Sequence, residues 1–290
     1  MKVLLTGASG QIGRALQASA PSQVQFCAPG HPELDLTDEQ SVSRVVAAFR
    51  PELIINAAAY TAVDRAESEA ALAFAVNADG ARRLALAART IGHCRLLQLS
   101  TDYVFDGESP DPYGPAEGTN PLSVYGRSKR AGEQAVQTVL RARGAILRTA
   151  WVYAAQGRNF VLTMLRLMRA EGRVRVVADQ TGTPTAASSI AAALWALAAR
   201  PEVSGILHWT DGGTATWYDF AVAIAEEAHA VGLLTQPVEV VRISTADYPT
   251  AARRPRHSVL DTQASIDALG ITPRHWRMEL HALIKSLQQA

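Results

Sequence analysis

The chain has 290 residues, 48% hydrophobic, 19% charged and 6% aromatic, with a formal net charge of +1. That length suits one large α/β domain, or a core domain with a smaller lobe, and it buries enough surface to fold without disulfides or a structural metal. Two cysteines, Cys27 and Cys94, exclude a disulfide framework and a cysteine zinc finger and fit a reducing cytoplasm; the near-neutral charge advertises no nucleic-acid partner, and no run of ~18 apolar residues offers a membrane span. The start, Met1-Lys2-Val3-Leu4-Leu5, enters glycine-rich sequence at once and lacks the long apolar stretch and cleavage site of a signal peptide.

In chain order, short apolar runs alternate with longer helical patterns. Lys2–Thr6 reads as a strand and Gly10–Ser19 as the helix after it. Val24–Ala28 is a second strand, and Asp38–Phe49 a helix with Thr37 or Asp38 as N-cap. Leu53–Asn56 is a third strand, Ser68–Ile91 one long Ala-rich helix, and Leu96–Ser100 a fourth strand. Val124–Arg143 is a helix and Ala145–Thr149 a fifth strand. Such alternation implies βαβ units and a doubly wound, Rossmann-like parallel sheet. Unbroken runs such as Val3-Leu4-Leu5 and Leu53-Ile54-Ile55 suit strands covered on both faces. The second half is less regular. Helices are expected over Asn159–Glu171, Ser188–Ala199, Tyr218–Ala230 and His275–Gln289, and strands over Gly205–Thr210 and Val238–Ile243. A Pro/Arg-rich loop covers Tyr248–Arg256. The expected organisation is an α/β chain with a dinucleotide-binding domain at 1–150 and a smaller α/β substrate-binding lobe mainly at 151–290. Segments near 185–212 return to the first domain.

Gly7-Ala8-Ser9-Gly10-Gln11-Ile12-Gly13 follows the first strand directly. Glycines there permit a tight turn and let backbone approach a pyrophosphate, to which the next helix offers its N–H groups and positive dipole end. A glycine trio also serves as a plain turn; its place between strand one and helix one favours the dinucleotide. The second strand ends Cys27-Ala28-Pro29-Gly30-His31, without the acid that binds the adenosine ribose hydroxyls. A missing carboxylate removes repulsion against a 2′-phosphate and favours NADPH, with NADH still open. Asp35-Leu36 either reaches the adenine or serves helix entry. Ala57-Ala58-Ala59-Tyr60-Thr61 closes the third strand, where small side chains leave room for a cofactor or simply pack helix on sheet. Asn77 is unfavourable in mid-helix, which points to a buried hydrogen-bonding role or to an exposed position.

Tyr125-Gly126-Arg127-Ser128-Lys129 is the strongest signal, since residues four apart share one side of a helix. A tyrosine with a pKa near ~10 exchanges protons poorly at neutral pH unless its anion is stabilised. A lysine cation one turn away does that, together with the positive charge of an oxidised nicotinamide. Of the 28 basic residues only Lys2, Lys129 and Lys285 are lysines, so a Lys inside a motif is informative. Chance also places Tyr and Lys four apart on solvated helix faces. Ser100-Thr101 at the end of the fourth strand favours chemistry, because a hydroxyl there shares the nicotinamide edge and can hold a substrate carbonyl beside Tyr125.

These motifs, in order and at this spacing, resemble the extended short-chain dehydrogenase/reductase superfamily. More narrowly the chain resembles the dTDP-4-dehydrorhamnose reductase family, over essentially its full length. That resemblance is carried by Gly10-Gln11-Ile12-Gly13, Leu34-Asp35-Leu36-Thr37-Asp38, Ala59-Tyr60-Thr61-Ala62-Val63-Asp64-Arg65-Ala66-Glu67, Val76-Asn77, Ser100-Thr101-Asp102-Tyr103-Val104-Phe105-Asp106-Gly107, Pro121 through Lys129, Arg148-Thr149-Ala150-Trp151-Val152-Tyr153, Asn159-Phe160 and Asp179 through Thr185. The resemblance implies hydride delivery from NAD(P)H to the C4 carbonyl of dTDP-4-dehydro-L-rhamnose, giving dTDP-L-rhamnose. Tyr125 would give the proton, Lys129 would bind the nicotinamide ribose, Thr101 would hydrogen-bond the sugar oxygen, and Asp102 and Trp151 would touch the substrate. Trp151 also reads as a lobe-interface aromatic. Within the loop carrying Arg253, Arg254 and Arg256, Arg254 is the candidate clamp on the nucleotide diphosphate, a task suited to a guanidinium.

Tyr103 separates neighbouring activities. Dehydratases of this fold carry a Glu there as the acid–base group for water elimination, and Tyr103 cannot replace it. The Thr101–Gly107 block fits a reductase better than an epimerase. Two alternatives remain at this stage: a nucleotide-sugar epimerase, and a non-catalytic NADP-binding regulatory subunit like the family's partner of methionine adenosyltransferase. Some relatives bind a divalent metal at a dimer interface through an acid soon after the Thr-Pro-Thr segment. Here Pro184-Thr185 is followed by Ala186-Ala187-Ser188-Ser189, so no metal is expected, and the chain is read as a monomer or homodimer.

Overall fold

Lys2–Thr6 forms β1, which leads through α1 (Gln11–Ala18) to β2 (Gln25–Cys27) and through α2 (Glu39–Phe49) to β3 (Leu53–Asn56). Next come α3 (Val63–Ala66), α4 (Ala70–Phe74), a π-helical turn at Ala75–Asp79, α5 (Gly80–Ile91) and β4 (Arg95–Thr101). The helix α6 (Val124–Leu140) leads to β5 (Gly144–Thr149). The second half holds β6 (Val152–Tyr153), α7 (Phe160–Glu171), β7 (Arg173–Val177), β8 (Thr181–Gly182), β9 (Thr185–Ala186) and α8 (Ala187–Ala198). It closes with β10 (Gly205–His208), β11 (Ala215–Thr216), α9 (Trp217–Ala230), β12 (Glu239–Ile243), α10 (Gln263–Leu269) and α11 (Trp276–Gln288). The structure, a computed structural model, describes residues 1–289.

Six strands pair in the order β10-β5-β4-β3-β1-β2, all parallel. Successive strand side chains point to opposite faces, and both faces are covered. Val3, Leu5, Leu53 and Ile55 pack towards α1 and α8, whereas Leu4 and Ile54 pack towards α2, α5 and α6. The chain leaves β1 towards β2 on one side and reaches β3 on the other. That reversal opens a crevice beyond the carboxyl ends of β1 and β3, where open α/β sheets bind ligands. A third core gathers α7, α9, α11 and the parallel pair β7–β12 into a second lobe.

Two expectations need correction. The single helix expected over Ser68–Ile91 is broken by the π-helical turn. Its wider winding carries Asn77 inward, and π-turns of this kind gather at functional sites. The strand β7 had no counterpart in the sequence reading. Only Gly172, in the left-handed conformation at φ 66°, separates it from α7, so helix and strand run together in the sequence.

Candidate active site

A cleft of about 1190 Å³ lies over the crevice. It is larger than the roughly 300–1,000 Å³ of a single small-ligand site, leaving room for two ligands. One end is built by the turn after β1. Gly7 has φ +68°, and a Cβ there would stand 2.6 Å from the backbone of Ala57 and Ala58, so the turn can press against β3 only as glycine. No side chain caps α1 and no acid lies in its first turn. Its N–H groups are left for an anion, which suits the pyrophosphate of a dinucleotide.

The sheet edge under the cleft is stiffened by a buried polar ladder. Thr6 Oγ1 donates to Asn56 Oδ1 at 2.5 Å, Asn56 Nδ2 to Gln98 Oε1 at 2.7 Å, and Gln98 Nε2 to the Leu99 carbonyl at 2.8 Å. These residues sit opposite one another in register on β1, β3 and β4. Asn77 fixes the neighbouring loop: Tyr60 N–H donates to Asn77 Oδ1 at 2.8 Å, and Asn77 Nδ2 donates to the Tyr60 carbonyl at 3.1 Å and to Ser128 Oγ at 2.9 Å.

Tyr125 and Lys129 stand one turn apart on α6 and both face the cleft. Ser123 caps α6 by accepting from Gly126 N–H at 3.1 Å. Gly126 allows the helix to touch the turn after β4, since a Cβ there would stand 2.1 Å from the Tyr103 carbonyl. Lys129 is 5% exposed, and its Nζ donates to the Leu99 carbonyl at 2.6 Å. Burial pulls its ammonium down to about 8, opposed by the Glu133 carboxylate one turn further along. Burial pushes the Tyr125 phenol up to about 12; the neighbouring Thr101 hydroxyl draws it down and the Asp102 charge adds to the rise. Desolvation dominates the Tyr125 phenol, and Lys129 Nζ donates one of its hydrogens to Leu99.

Thr101 ends β4, and its hydroxyl donates to Asp102 Oδ1 at 2.9 Å while accepting from Tyr103 N–H at 3.2 Å. Asp102 is buried and takes a second hydroxyl, from Ser258, at 2.6 Å. Its carboxyl is pushed up to about 6 by burial, against the pull of Ser258 and Thr101. The ring of Tyr103 meets that of Tyr125 edge-on, with centroids 5.9 Å apart. At the far wall Trp151 stacks on Trp217 at 3.4 Å and 4°. Trp151 holds φ +45°, a strained backbone for a bulky residue, of the kind concentrated at functional sites.

A sequence profile of the RmlD substrate binding domain matches residues 1–289. A protein of Aggregatibacter actinomycetemcomitans named dTDP-4-dehydrorhamnose reductase is 43% identical over 96% of this chain and 97% of its own. A Streptomyces griseus protein of the same name is 46% identical over 96% of this chain and 91% of its own. The chain belongs to the dTDP-4-dehydrorhamnose reductase family. A crystal structure of the Bacillus anthracis dTDP-4-dehydrorhamnose reductase in complex with NADP superposes with a TM-score of 0.92, at 35% identity over 98% of this chain and 99% of that one.

Set against this reductase family, the cleft gathers most residues that the sequence singles out. Gly7, Gly10, Gln11, Ile12, Asp35, Leu36, Ala57, Ala58, Ala59, Tyr60, Thr61, Thr101, Asp102, Tyr125, Lys129 and Trp151 line it. Three do not. Gly13 lies behind the turn, where a Cβ would stand 2.2 Å from the Gly7 carbonyl. Asn77 acts through Tyr60 and Ser128. Arg254 is held by Asp64 in a bidentate pair at 3.0 and 2.7 Å. Lining residues that the sequence reading does not single out are Trp217, Gln156, Gly157 and Arg158 from the second lobe. Their loop grips α1: Asn159 Nδ2 donates to Gln11 Oε1 at 2.8 Å and Arg14 to Gln156 Oε1 at 3.1 Å. Only the matching pair of a glycine turn and a cap asparagine hints at this contact in the sequence.

Proposed function

We propose that this chain reduces the C4 ketone of dTDP-4-dehydro-L-rhamnose to dTDP-L-rhamnose, with NADPH as reductant. The observation that carries the reading is the placement of Thr101, Tyr125 and Lys129 in one cleft with an uncapped helix end beyond a glycine turn. Full-length relatives named for this reductase support the substrate, and the NADP of the Bacillus anthracis neighbour supports the cofactor. The end of β2, Ala28-Pro29-Gly30, carries no acid of its own, but Glu33 Oε2 folds back to accept from Gly30 N–H at 2.8 Å, so the cofactor choice rests on the Bacillus anthracis neighbour.

The chain's own residues divide the work. The turn Gly7–Ile12 and the start of α1 hold the pyrophosphate, Asp35 and Leu36 border the adenosine, and Ala57–Thr61 line the path to the reacting end. Lys129 keeps two N–H donors beyond its bond to Leu99, and these hold ribose hydroxyls. When bound, the nicotinamide supplies the hydride. Tyr125 stays protonated at neutral pH because burial opposes its anion, so it serves as the acid that protonates the oxygen at C4. The Trp151–Trp217 wall borders the sugar and excludes water from it. Arg254 reaches the diphosphate by exchanging its Asp64 partner. We take residues 1–150 with the returning α8 and β10 as the cofactor domain and the remainder as the sugar lobe. The proposed compartment is the cytoplasm, and the working unit is a monomer or homodimer. The test is NADPH oxidation on adding dTDP-4-dehydro-L-rhamnose, with dTDP-L-rhamnose identified by mass and NMR. Equimolar loss of NADPH and gain of rhamnose is expected. Release of tightly held NAD with epimerised sugar would contradict the reading.

A further inference from the structure

A buried hydroxyl normally finds a hydrogen-bond partner, and one left without a partner costs stability. Thr149, the last residue of β5, is such an exception. It is 5% exposed, and its Oγ1 is buried with no partner among the described residues. Thr149 also lines the cleft. Ser100 Oγ on β4 is likewise buried and unbonded, but it lies on the side of the sheet where Arg148 and Glu133 meet.

Thr149 stands opposite Thr101 in register, one strand further from β1. Neighbouring strands lie about 4.8 Å apart, so each step across the sheet edge moves one group along a bound dinucleotide. The glycine turn follows β1, Ala57–Thr61 follow β3, and the Leu99 carbonyl that accepts from Lys129 belongs to β4. With the pyrophosphate at β1 and the ribose at Lys129, the end of β5 meets the nicotinamide. Ala150, the next residue, is small and buried and lines the cleft too, which leaves space for a ring. Thr149 shares its side of the sheet with Leu147 and Leu99, which pack towards α1 and α8. Tyr125 and Lys129 come from α6, which covers the opposite side.

We propose that the Thr149 hydroxyl anchors the carboxamide of the nicotinamide, donating its one hydrogen to the carbonyl oxygen. The inference rests on the NADPH reading above and names a residue that holds the reacting end of that cofactor. Thr149 grips the ring from the α1–α8 side, while Tyr125 stands on the α6 side. The anchor therefore fixes which edge of the ring turns towards the phenol. An unpaired hydroxyl also leaves a thermodynamic signature. The free protein carries its cost, and the bound protein does not. Removing the hydroxyl should thus help the free chain and harm the complex, the reverse of what a structural hydrogen bond gives.

Equilibrium binding to the full chain, without substrate, tests this with two probes. One is NADPH. The other is 2′-phospho-ADP-ribose, which keeps the adenosine, the 2′-phosphate and the pyrophosphate but has no nicotinamide. Thr149→Val keeps the shape of the side chain and removes its hydroxyl. It is expected to weaken NADPH binding about fivefold or more, to leave the fragment within about twofold of wild type, and to raise the urea midpoint of the free protein. Thr149→Ser keeps a hydroxyl and should bind NADPH within about twofold of wild type. Equal weakening of both probes in Thr149→Val overturns the proposal, because the hydroxyl would then act through the fold. Unchanged NADPH affinity in Thr149→Val overturns it as well. A lower urea midpoint, or a Thr149→Val chain that does not fold, would show the hydroxyl already paired in the free protein and would also overturn it. Failure of the cofactor reading looks different: wild type then binds neither probe, and the inference falls with it.

Discussion

Lys129 is an ammonium that the chain gives almost no water. Burial lowers its pKa in the folded protein to about 8, while the unfolded chain keeps the ordinary value of 10.5. Between those values the unfolded state binds more protons, so stability must rise with pH across that window. Lys129→Met removes the effect. Urea unfolding without cofactor at pH 8 and pH 10 should show wild type gaining on the order of 2 kcal/mol relative to the variant. Parallel pH dependence of the two proteins would contradict a buried, strained charge. The residue itself is legible in the sequence, through its rarity and its spacing from Tyr125. What sets the acidity of Tyr125 is not legible, because it depends on desolvation and on Thr101 and Asp102, which the fold brings beside the phenol.

The helix α6 is the element that carries Tyr125 and Lys129 into the cleft, and it is anchored from below. Glu133 on α6 and Arg148 on β5 form a bidentate pair at 2.8 and 2.8 Å, with side chains 0% and 1% exposed. His208 of β10 lies 3.3 Å from the guanidinium, and burial together with Arg148 pulls its imidazole down to about 4. Removing one partner of such a pair leaves a buried charge alone. Glu133→Gln should cost about 3–5 kcal/mol in urea unfolding; a loss below about 1 kcal/mol would show the pair to be dispensable. Strand and helix alternation in the first half is legible because each strand is an apolar run bounded by turn residues. The π-helical turn is not, since it answers a contact with α6: a Cβ on Gly132 would stand 2.2 Å from the Asn77 carbonyl. The two-residue strands β6, β8, β9 and β11 are likewise set by the partner they meet and not by any propensity of their own.

At the scale of the whole molecule the site is assembled by distant parts of the chain. Ser258 meets Asp102 across 156 residues, Arg254 meets Asp64 across 190, and Asn159 meets Gln11 across 148. No periodicity or local motif announces such pairs, which is why Gly7–Gly13 and Tyr125–Lys129 are readable in sequence while the contacts around Trp217 and Gln156 are not. Trp217 shows this well: it begins a helix in the second lobe, and only the fold sets its ring against Trp151. The account depends on one phenol delivering one proton within this assembled cleft. The direct measurement is Tyr125→Phe, assayed for kcat/KM in ketone reduction alongside NADPH affinity by fluorescence titration. Loss of the hydroxyl should lower kcat/KM about 10³-fold and leave NADPH affinity within about twofold, since the ring still packs on Tyr103. A variant that keeps activity within about tenfold of wild type would contradict the account.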